Sequence, residues 1–210
     1  MVPLSPARAA NTPRRWAALV TMLFLAAVGA DESSASTPGC GLAPPGGALP
    51  GATIELPFAF GGLARSFFLH LPARYNPSAP TPLVLMFHGY GHTGAGMAAE
   101  LRDEADASTF IVIAPTGKEG PEPSWNGGGS SDSPGAQGPT CIPGSDGVCY
   151  DSCEARAQGC SDCDWTTCLD DVAFVSALLD FAEDSICVDT ARKYASNPHC
   201  LPQHDSQGCV

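Results

Sequence analysis

Two short, uninterrupted apolar runs constrain the fold of this chain more than any other feature. They are residues 83–87 (LVLMF) and residues 110–114 (FIVIA). Strands that are buried on both faces, as in a parallel sheet, have this continuous hydrophobic pattern. The segment between them, residues 96–107, has a helix-forming composition. A strand, a helix and a second strand in this order predict a right-handed crossover and an α/β domain.

An antiparallel hairpin is predicted ahead of this unit. Residues 65–71 (RSFFLHL) alternate in polarity, which places Phe67, Leu69 and Leu71 on one face of a strand. Residues 54–60 precede that strand across Gly61-Gly62, a dipeptide that suits a two-residue hairpin turn.

A second helix is predicted over residues 167–184. Thr167 and Asp170 have the Ser/Thr-x-x-acid spacing of a helix start. Apolar residues then repeat at helical spacing, so we expect one stripe to face the sheet: Val172, Val175, Leu179, Ala182 and Ile186. Residues 192–195 look like the opening of another strand, which we expect not to continue, because residues 196–210 have neither strand nor helix period.

The first thirty residues have the features of a secretory signal peptide. Three arginines precede the uncharged apolar run of residues 16–30, and small residues end that run before Asp31. The run is short for a membrane span, which takes about twenty residues; an uncleaved anchor is the alternative. We therefore expect an extracellular protein with no membrane association after cleavage. A Ser-, Pro- and Gly-rich arm over residues 31–52 follows the signal peptide.

The charge balance argues against two kinds of anionic partner, nucleic acids and anionic membranes. Residues 31–210 contain seven of the ten basic residues and all 22 acidic ones, a net charge of −15 with neutral histidine. Nucleic acids and anionic membranes recruit lysine and arginine. We expect neither to be a partner of the mature chain.

All ten cysteines follow the predicted signal peptide, and an even number in an exported chain predicts disulfides. Six of them fall within or just after residues 118–165, a Gly-, Pro- and Ser-rich stretch that we interpret as a disulfide-rich insertion. A zinc site formed by Cys160, Cys163, His199 and His204 is the alternative, but no metal is expected. The disulfide candidates are Cys40, Cys141, Cys149, Cys153, Cys160, Cys163, Cys168, Cys187, Cys200 and Cys209.

Several short motifs occur together in an order that is typical of one group of secreted enzymes. They are Gly39-Cys40-Gly41, His88-Gly89-Tyr90-Gly91, Pro115-Thr116-Gly117, Ser124-Trp125-Asn126, and residues 170–175 (DDVAFV) before Cys187-Val188-Asp189. As a set, they resemble the secreted feruloyl esterases and the related polyhydroxybutyrate depolymerases, over about residues 39–195. These enzymes belong to the α/β-hydrolase superfamily.

The resemblance implies a partial fold. It implies the front half of an α/β-hydrolase sheet over residues 53–195, with a hairpin, parallel strands and crossover helices, interrupted by the disulfide-rich insertion. Residues 196–210 form an irregular tail unlike the family. We therefore expect an incomplete fold.

The resemblance also implies site residues. The turn His88-Gly89-Tyr90-Gly91 after the first apolar strand matches the turn that offers a backbone N–H to an oxyanion. Trp125 is a candidate for lining an aryl or acyl pocket; a cap over the sheet edge is an equal alternative.

No member of the catalytic triad carries over. In the family, the strand that matches residues 192–195 leads into Gly-x-Ser-x-Gly, and this pattern occurs nowhere in the sequence. A replacement triad of Ser196, His199 and Asp205 has the right residue types but no scaffold to align them.

These observations lead to two hypotheses about function. The first is a secreted carboxylic-ester hydrolase that needs no cofactor and acts on an ester-bearing plant cell-wall polymer or a polyester. In this hypothesis the chain is truncated before its nucleophile, and we therefore expect it to be inactive alone. The second is a non-catalytic, disulfide-rich secreted module that binds cell-wall polymer.

Overall fold

Five strands form one mixed sheet in the order β1-β2-β4-β3-β5. The computed structural model describes residues 36–118, 122–126, 150–154 and 167–197. The predicted signal peptide, most of the predicted insertion and residues 198–210 lie outside them. The elements are a 3₁₀ helix (Pro45–Gly47), β1 (Thr53–Phe60), β2 (Leu63–His70), β3 (Thr81–Met86), α1 (Gly94–Ser108), β4 (Ile111–Pro115), α2 (Asp151–Glu154), α3 (Asp171–Ser185) and β5 (Val188–Ser196).

The predicted hairpin is confirmed. Strands β1 and β2 pair antiparallel from Thr53 opposite His70 to Phe60 opposite Leu63, which leaves a two-residue loop. Its glycines, Gly61 and Gly62, have φ values of 59° and 80°. Positive φ at both loop residues defines the tight hairpin turn whose twist matches that of the strands, and glycine adopts it without steric cost.

The predicted crossover is confirmed as well. Strands β3 and β4 are parallel, with Leu83 opposite Ile111, and α1 connects them. Strand β5 pairs parallel with the other side of β3, and β2 pairs antiparallel with β4. The described part of the chain is therefore an α/β domain that joins a hairpin to parallel strands.

The sheet has a hydrophobic core on each face. On one face, Phe67, Leu69, Leu83 and Ile113 pack with residues of α3. On the other face, Val112 and Ala114 pack with Met97 and Ala105 of α1. Successive strand residues point to opposite faces, so the buried runs in β3 and β4 supply both cores.

Two expectations for α3 are wrong in detail. The helix begins at Asp171 with Asp170 as N-cap, whose side chain accepts a hydrogen bond from the Ala173 amide at 3.0 Å. Thr167 is therefore not the cap. The predicted stripe is confirmed at Ala182 and Ile186, which are fully buried, and Val175 and Leu179 pack partly buried against the core, but Val172 is 58% exposed. The most buried residues of the helix are Asp171, Phe174, Leu178 and Ala182, because the orientation of the helix over the sheet turns the buried face toward them.

The last strand is longer than the sequence predicts. Only residues 192–195 looked like a strand, but β5 spans Val188–Ser196 and pairs with β3 along most of its length. Residues 191–196 of β5 are exposed. These residues have no hydrophobic periodicity that would predict a strand. The strand forms through backbone pairing with β3, which does not depend on apolar side chains.

A disulfide fastens the N-terminal arm to the start of β5. Cys40 bonds to Cys187, at a sequence separation of 147. Beside it, the Thr37 hydroxyl donates to the Ile186 carbonyl at 2.8 Å and accepts from the Val188 amide at 3.1 Å. Gly39 lies directly against the Ile186 backbone, where a side chain would collide. The described part of the arm is thus ordered.

Candidate active site

The candidate site lies where β3 and β4 end. The turn after β3 carries the predicted oxyanion residues, and Thr116 and Gly117 follow β4. Ligands of open α/β sheets bind outside the carboxyl ends of the parallel strands. The three parallel strands β3, β4 and β5 end at this same edge.

His88 joins the ends of β3 and β4. Its side chain is fully buried, Nδ1 lies 2.7 Å from the Gly89 carbonyl oxygen, and Nε2 lies 2.8 Å from the Gly117 amide nitrogen. An amide only donates, so Nε2 accepts and Nδ1 carries the hydrogen that it donates to Gly89. Burial lowers the pKa of His88, although the bond to Gly89 opposes the shift. His88 is therefore a neutral strut and has no nitrogen left to act as a base.

Two amides at the end of the turn are already hydrogen-bonded. The Gly91 amide donates to the Pro123 carbonyl at 3.0 Å, and the His92 amide donates to the Gly89 carbonyl at 3.1 Å. Gly91 has a φ of 73° and lies against the Glu122 carboxylate, so this position requires glycine. Within the described part of the chain, the Gly89 amide has no acceptor.

Trp125 hydrogen-bonds to the backbone of the turn and packs against α3. Its Nε1 donates to the His88 carbonyl oxygen at 3.0 Å. Its ring stacks on Phe174 at 6.4 Å between centroids and meets Phe87 edge-on at 5.5 Å. The partly buried indole packs against the core on the α3 face. These contacts connect Trp125 to the turn and to α3, and its role in a substrate pocket stays a prediction.

A buried ion pair lies beneath Trp125. Arg65 Nη1 lies 2.5 Å from Asp171 Oδ1, and both side chains are almost fully buried. The Arg65 guanidinium also lies over the Phe174 ring at 3.7 Å and over the Trp125 ring at 5.7 Å. Cation–π attraction of this kind strengthens where water is excluded. The pair therefore joins β2, α3 and the segment around Trp125.

Asp171 also holds the neighbouring segment. Its Oδ2 accepts from the Asn126 amide at 2.7 Å and from the Thr167 hydroxyl at 3.3 Å. Burial raises the pKa of Asp171, and Arg65 and these donors oppose the shift. Among the described residues, both side-chain polar atoms of Asn126 and two nitrogens of Arg65 are buried without a hydrogen-bond partner. The polar cluster under the turn thus retains unused hydrogen-bonding capacity.

Tyr150 closes the other side of the turn. Its hydroxyl donates to the Glu122 carbonyl oxygen at 2.7 Å, and its side chain also hydrogen-bonds Tyr90 and Ser124. Burial, with smaller effects from Tyr90 and Glu122, raises the pKa of Tyr150 to about 12. Tyr90 is 38% exposed, so this residue of the turn remains accessible to solvent.

The structure brings together some of the predicted residues and leaves others untested. His88, Gly89, Tyr90, Gly91 and Trp125 lie in one cluster. Ser196 ends β5, where its carbonyl accepts from the Phe87 amide at 2.9 Å, but His199 and Asp205 of the tail alternative lie outside the described residues. The same holds for all four residues of the zinc alternative. Within the described ranges, no cluster of three or more metal-ligating side chains occurs.

The cysteine predictions are tested at three positions. Cys40 and Cys187 pair with each other, and Cys168 is also disulfide-bonded. The side chains of the remaining candidates lie outside the described residues: Cys141, Cys149, Cys153, Cys160, Cys163, Cys200 and Cys209.

Within the described ranges, no helix has the length and apolar character needed to cross a bilayer.

Sequence reasoning missed Arg65 as part of this cluster. Arg65 alternates with Phe67 and Leu69, so the strand pattern places it on the buried face. A charged residue on a buried face requires a partner. That signal could have prompted a search for a buried carboxylate, and Asp171 is the second residue of the DD pair at the start of a predicted helix.

Comparisons with known proteins give no match at the level of sequence families. No family model matches the chain, and neither does any curated protein. One similar solved structure is FphF, a fluorophosphonate-binding serine hydrolase of Staphylococcus aureus with substrate bound: it is 11% identical, with a TM-score of 0.40 over 71% of this chain and 48% of its own. Another is a thermostable esterase, 16% identical, with a TM-score of 0.40 over 69% of this chain and 34% of its own. The chain spans about half of the first protein and a third of the second.

Proposed function

We propose that this chain carries the oxyanion side of a secreted carboxylic-ester hydrolase that resembles the feruloyl esterases and polyhydroxybutyrate depolymerases. The observation that carries the proposal is the His88 turn: a glycine turn at the carboxyl end of β3, fixed by hydrogen bonds to Gly117 and Trp125. Donors that are held in place before the reaction stabilise a developing oxyanion without reorganisation.

The proposed chemistry is acyl transfer. A serine attacks the ester carbonyl, an acyl-enzyme forms, and water releases the acid. In this scheme, the Gly89 amide faces the developing oxyanion, while His88 and Trp125 hold the turn that contains it. A serine nucleophile with its base has to be supplied in addition, because Gly-x-Ser-x-Gly does not occur in the 210 residues.

The proposed setting is extracellular, with an ester-bearing plant cell-wall polymer or a polyester as substrate. The signal-like residues 1–30 and the Cys40–Cys187 disulfide support export, since disulfides persist in oxidising compartments. The ordered motifs around His88 and Trp125 support the ester class.

The test compares two proteins with chromogenic acyl esters. The first is the chain itself from residue 31. The second is the same chain joined after Ala195 to the elbow-to-histidine half of a secreted feruloyl esterase. We expect turnover by the fusion, and a rate at least about 10³-fold lower for the chain alone, since binding and an oxyanion hole give only residual catalysis.

The matched control replaces the elbow serine of the fusion with alanine. Loss of turnover in this control, together with loss on Trp125→Phe in the intact fusion, supports the proposal. A folded fusion that shows no turnover with any of the acyl esters would contradict it. Turnover by the chain alone that is lost on Ser196→Ala would also contradict it and would assign the nucleophile to the tail.

A non-catalytic module that binds cell-wall polymer is the second candidate. The absence of Gly-x-Ser-x-Gly favours it, as does the exposure of Tyr90 within the turn, because aromatic rings are enriched in binding surfaces. The test is sedimentation of the chain with insoluble arabinoxylan or cellulose. Retention that falls on Tyr90→Ala, with no ester turnover in the fusion, would select this function.

A further inference from the structure

A second hydrogen-bonded cluster lies on the opposite face of the sheet from Arg65. The hairpin register sets Thr53 of β1 directly opposite His70 of β2. Residues opposite each other in an antiparallel pair project their side chains to the same face. Helix α1 packs on that face and contributes Asp106. Three elements thus bring a hydroxyl, an imidazole and a carboxylate together.

The three side chains form a continuous relay. The Thr53 hydroxyl lies 2.9 Å from His70 Nδ1, and His70 Nε2 lies 3.2 Å from Asp106 Oδ1. An ionised carboxylate only accepts, so Nε2 of a neutral imidazole carries the hydrogen and Nδ1 accepts from the Thr53 hydroxyl. The Ala73 amide also donates to Asp106 Oδ1, at 2.6 Å. The carboxylate is therefore held in place independently of the histidine.

The three residues of the relay differ in their exposure to solvent. His70 is 1% exposed, the Asp106 side chain is 35% exposed, and Thr53 is exposed. The base is shielded from water, while the threonine that it contacts is exposed. A nucleophile within hydrogen-bond reach of a base, with the base oriented by a third group, is the arrangement that activates serine and threonine hydroxyls.

We propose that Thr53 is an activated acyl acceptor, with His70 as its general base and Asp106 as the residue that orients the base. The Thr53 oxygen forms a bond to the acyl carbon of an activated ester, and the hydroxyl proton passes to His70 Nδ1. The bond from that carbon to the leaving oxygen breaks, and the proton then leaves His70 with the alcohol or passes to solvent. The product is a threonyl ester.

This inference is independent of the proposed function, because it uses neither the His88 turn nor an added serine. Within the described residues, the two amides that precede Thr53 in the chain are engaged: the Gly51 amide donates to the Leu71 carbonyl and the Ala52 amide to the Leu49 carbonyl. An oxyanion therefore receives little help at this site. We expect one slow acylation per chain and a threonyl ester that persists, in place of rapid turnover.

The test uses p-nitrophenyl acetate with the chain from residue 31. Peptide mass spectrometry should locate a single acetyl group on Thr53 well before any appears on Thr93, an exposed threonine whose hydroxyl only caps α1. Thr53→Val should abolish the label, and Thr53→Ser should retain it. His70→Gln should slow the labelling by about 10²–10⁴-fold, the contribution of a positioned general base.

Folding is monitored by circular dichroism for every variant. If His70→Gln fails to fold, Asp106→Asn takes its place, with slower labelling of Thr53 as the expected result. Equal labelling of Thr53 and Thr93 in the unmodified chain would overturn the inference. Unchanged labelling of Thr53 in a folded His70→Gln or Asp106→Asn variant would overturn it as well.

Discussion

Single side chains decide the shape of the turn after β3. His88 bridges the ends of β3 and β4 through its ring, while its own carbonyl is held by the Trp125 indole. The histidine of this motif therefore acts through its position and through its backbone, and its burial keeps it neutral. A tryptophan is suited to hold the His88 carbonyl because it combines a large apolar ring with a single hydrogen-bond donor.

Removal of the indole donor should cost stability without removing the ring. In Trp125→Phe, the ring still packs between Phe87 and Phe174, but the His88 carbonyl loses its hydrogen bond. We expect the free energy of unfolding to fall by about 1–3 kcal/mol, the cost of a buried acceptor left unpaired. Urea denaturation measures it, with Tyr194→Phe on the exposed part of β5 as a control that should stay within about 0.5 kcal/mol. Equal values for the two variants would contradict the role of Trp125.

Tyr150 provides a pH test of its burial. The pKa of this phenol is raised to about 12 from an ordinary value of 10.0, so the folded state holds the proton more tightly than the unfolded state. Its contribution to stability is complete below pH 10 and is lost as the pH rises through about 12. An ultraviolet titration of tyrosinate in the folded protein should show a late transition near pH 12 that Tyr150→Phe removes. Ionisation of Tyr150 near its ordinary pKa would contradict its buried placement.

Among the elements, α3 connects the site to the core. It begins with Asp170 and Asp171, which have different roles: Asp170 caps the helix from outside, and Asp171 points inward to Arg65. Acidic side chains at this end also complement the helix dipole. Both aspartates thus stabilise the start of the helix, although only Asp171 belongs to the site.

The cap can be tested separately from the ion pair. Asp170→Ala removes the acceptor for the Ala173 amide, and we expect a loss of about 1 kcal/mol in the free energy of unfolding. Asp170→Asn keeps an acceptor at the same place and should lose clearly less. Thermal and urea unfolding of the two variants measure the difference. A loss that is the same for both would indicate that charge, and not the capping bond, dominates at this position.

For the whole molecule, one covalent link joins the two ends of the described chain. The Cys40–Cys187 disulfide joins positions at a sequence separation of 147, and the arm around Thr37 and Gly39 packs at the junction of α3 and β5. Cross-links over long loops restrict the unfolded chain most in the chain-entropy model. We infer that this link contributes substantially to the stability of the domain.

The double variant Cys40→Ala/Cys187→Ala tests this contribution. We expect the free energy of unfolding to fall by about 2–5 kcal/mol, and a non-reducing digest of the unmodified protein should contain the two peptides as one linked species. Thermal unfolding without reductant measures the first, and mass spectrometry checks the second. Separate peptides in the digest, or an unchanged unfolding temperature, would contradict the pairing.

The local patterns in the sequence determined the elements and their class. The apolar runs predict β3 and β4, Gly61-Gly62 predicts the hairpin, and the spacing between strands predicts the crossover, because each of these depends on residues that are near one another in the chain. The His88 motif likewise predicts a turn at a strand end. These signals are local, and the structure confirms the strands, the hairpin and the crossover that they predict.

The tertiary structure alone decided which residues meet. The pairing of Cys40 with Cys187, the Arg65–Asp171 ion pair and the extension of β5 along β3 each join positions that are distant in sequence. Nothing in the spacing of ten cysteines selects a pairing, and a polar edge strand has no hydrophobic period. Such contacts depend on the direction and register with which the elements pack, which the sequence encodes only through the energy of the whole fold.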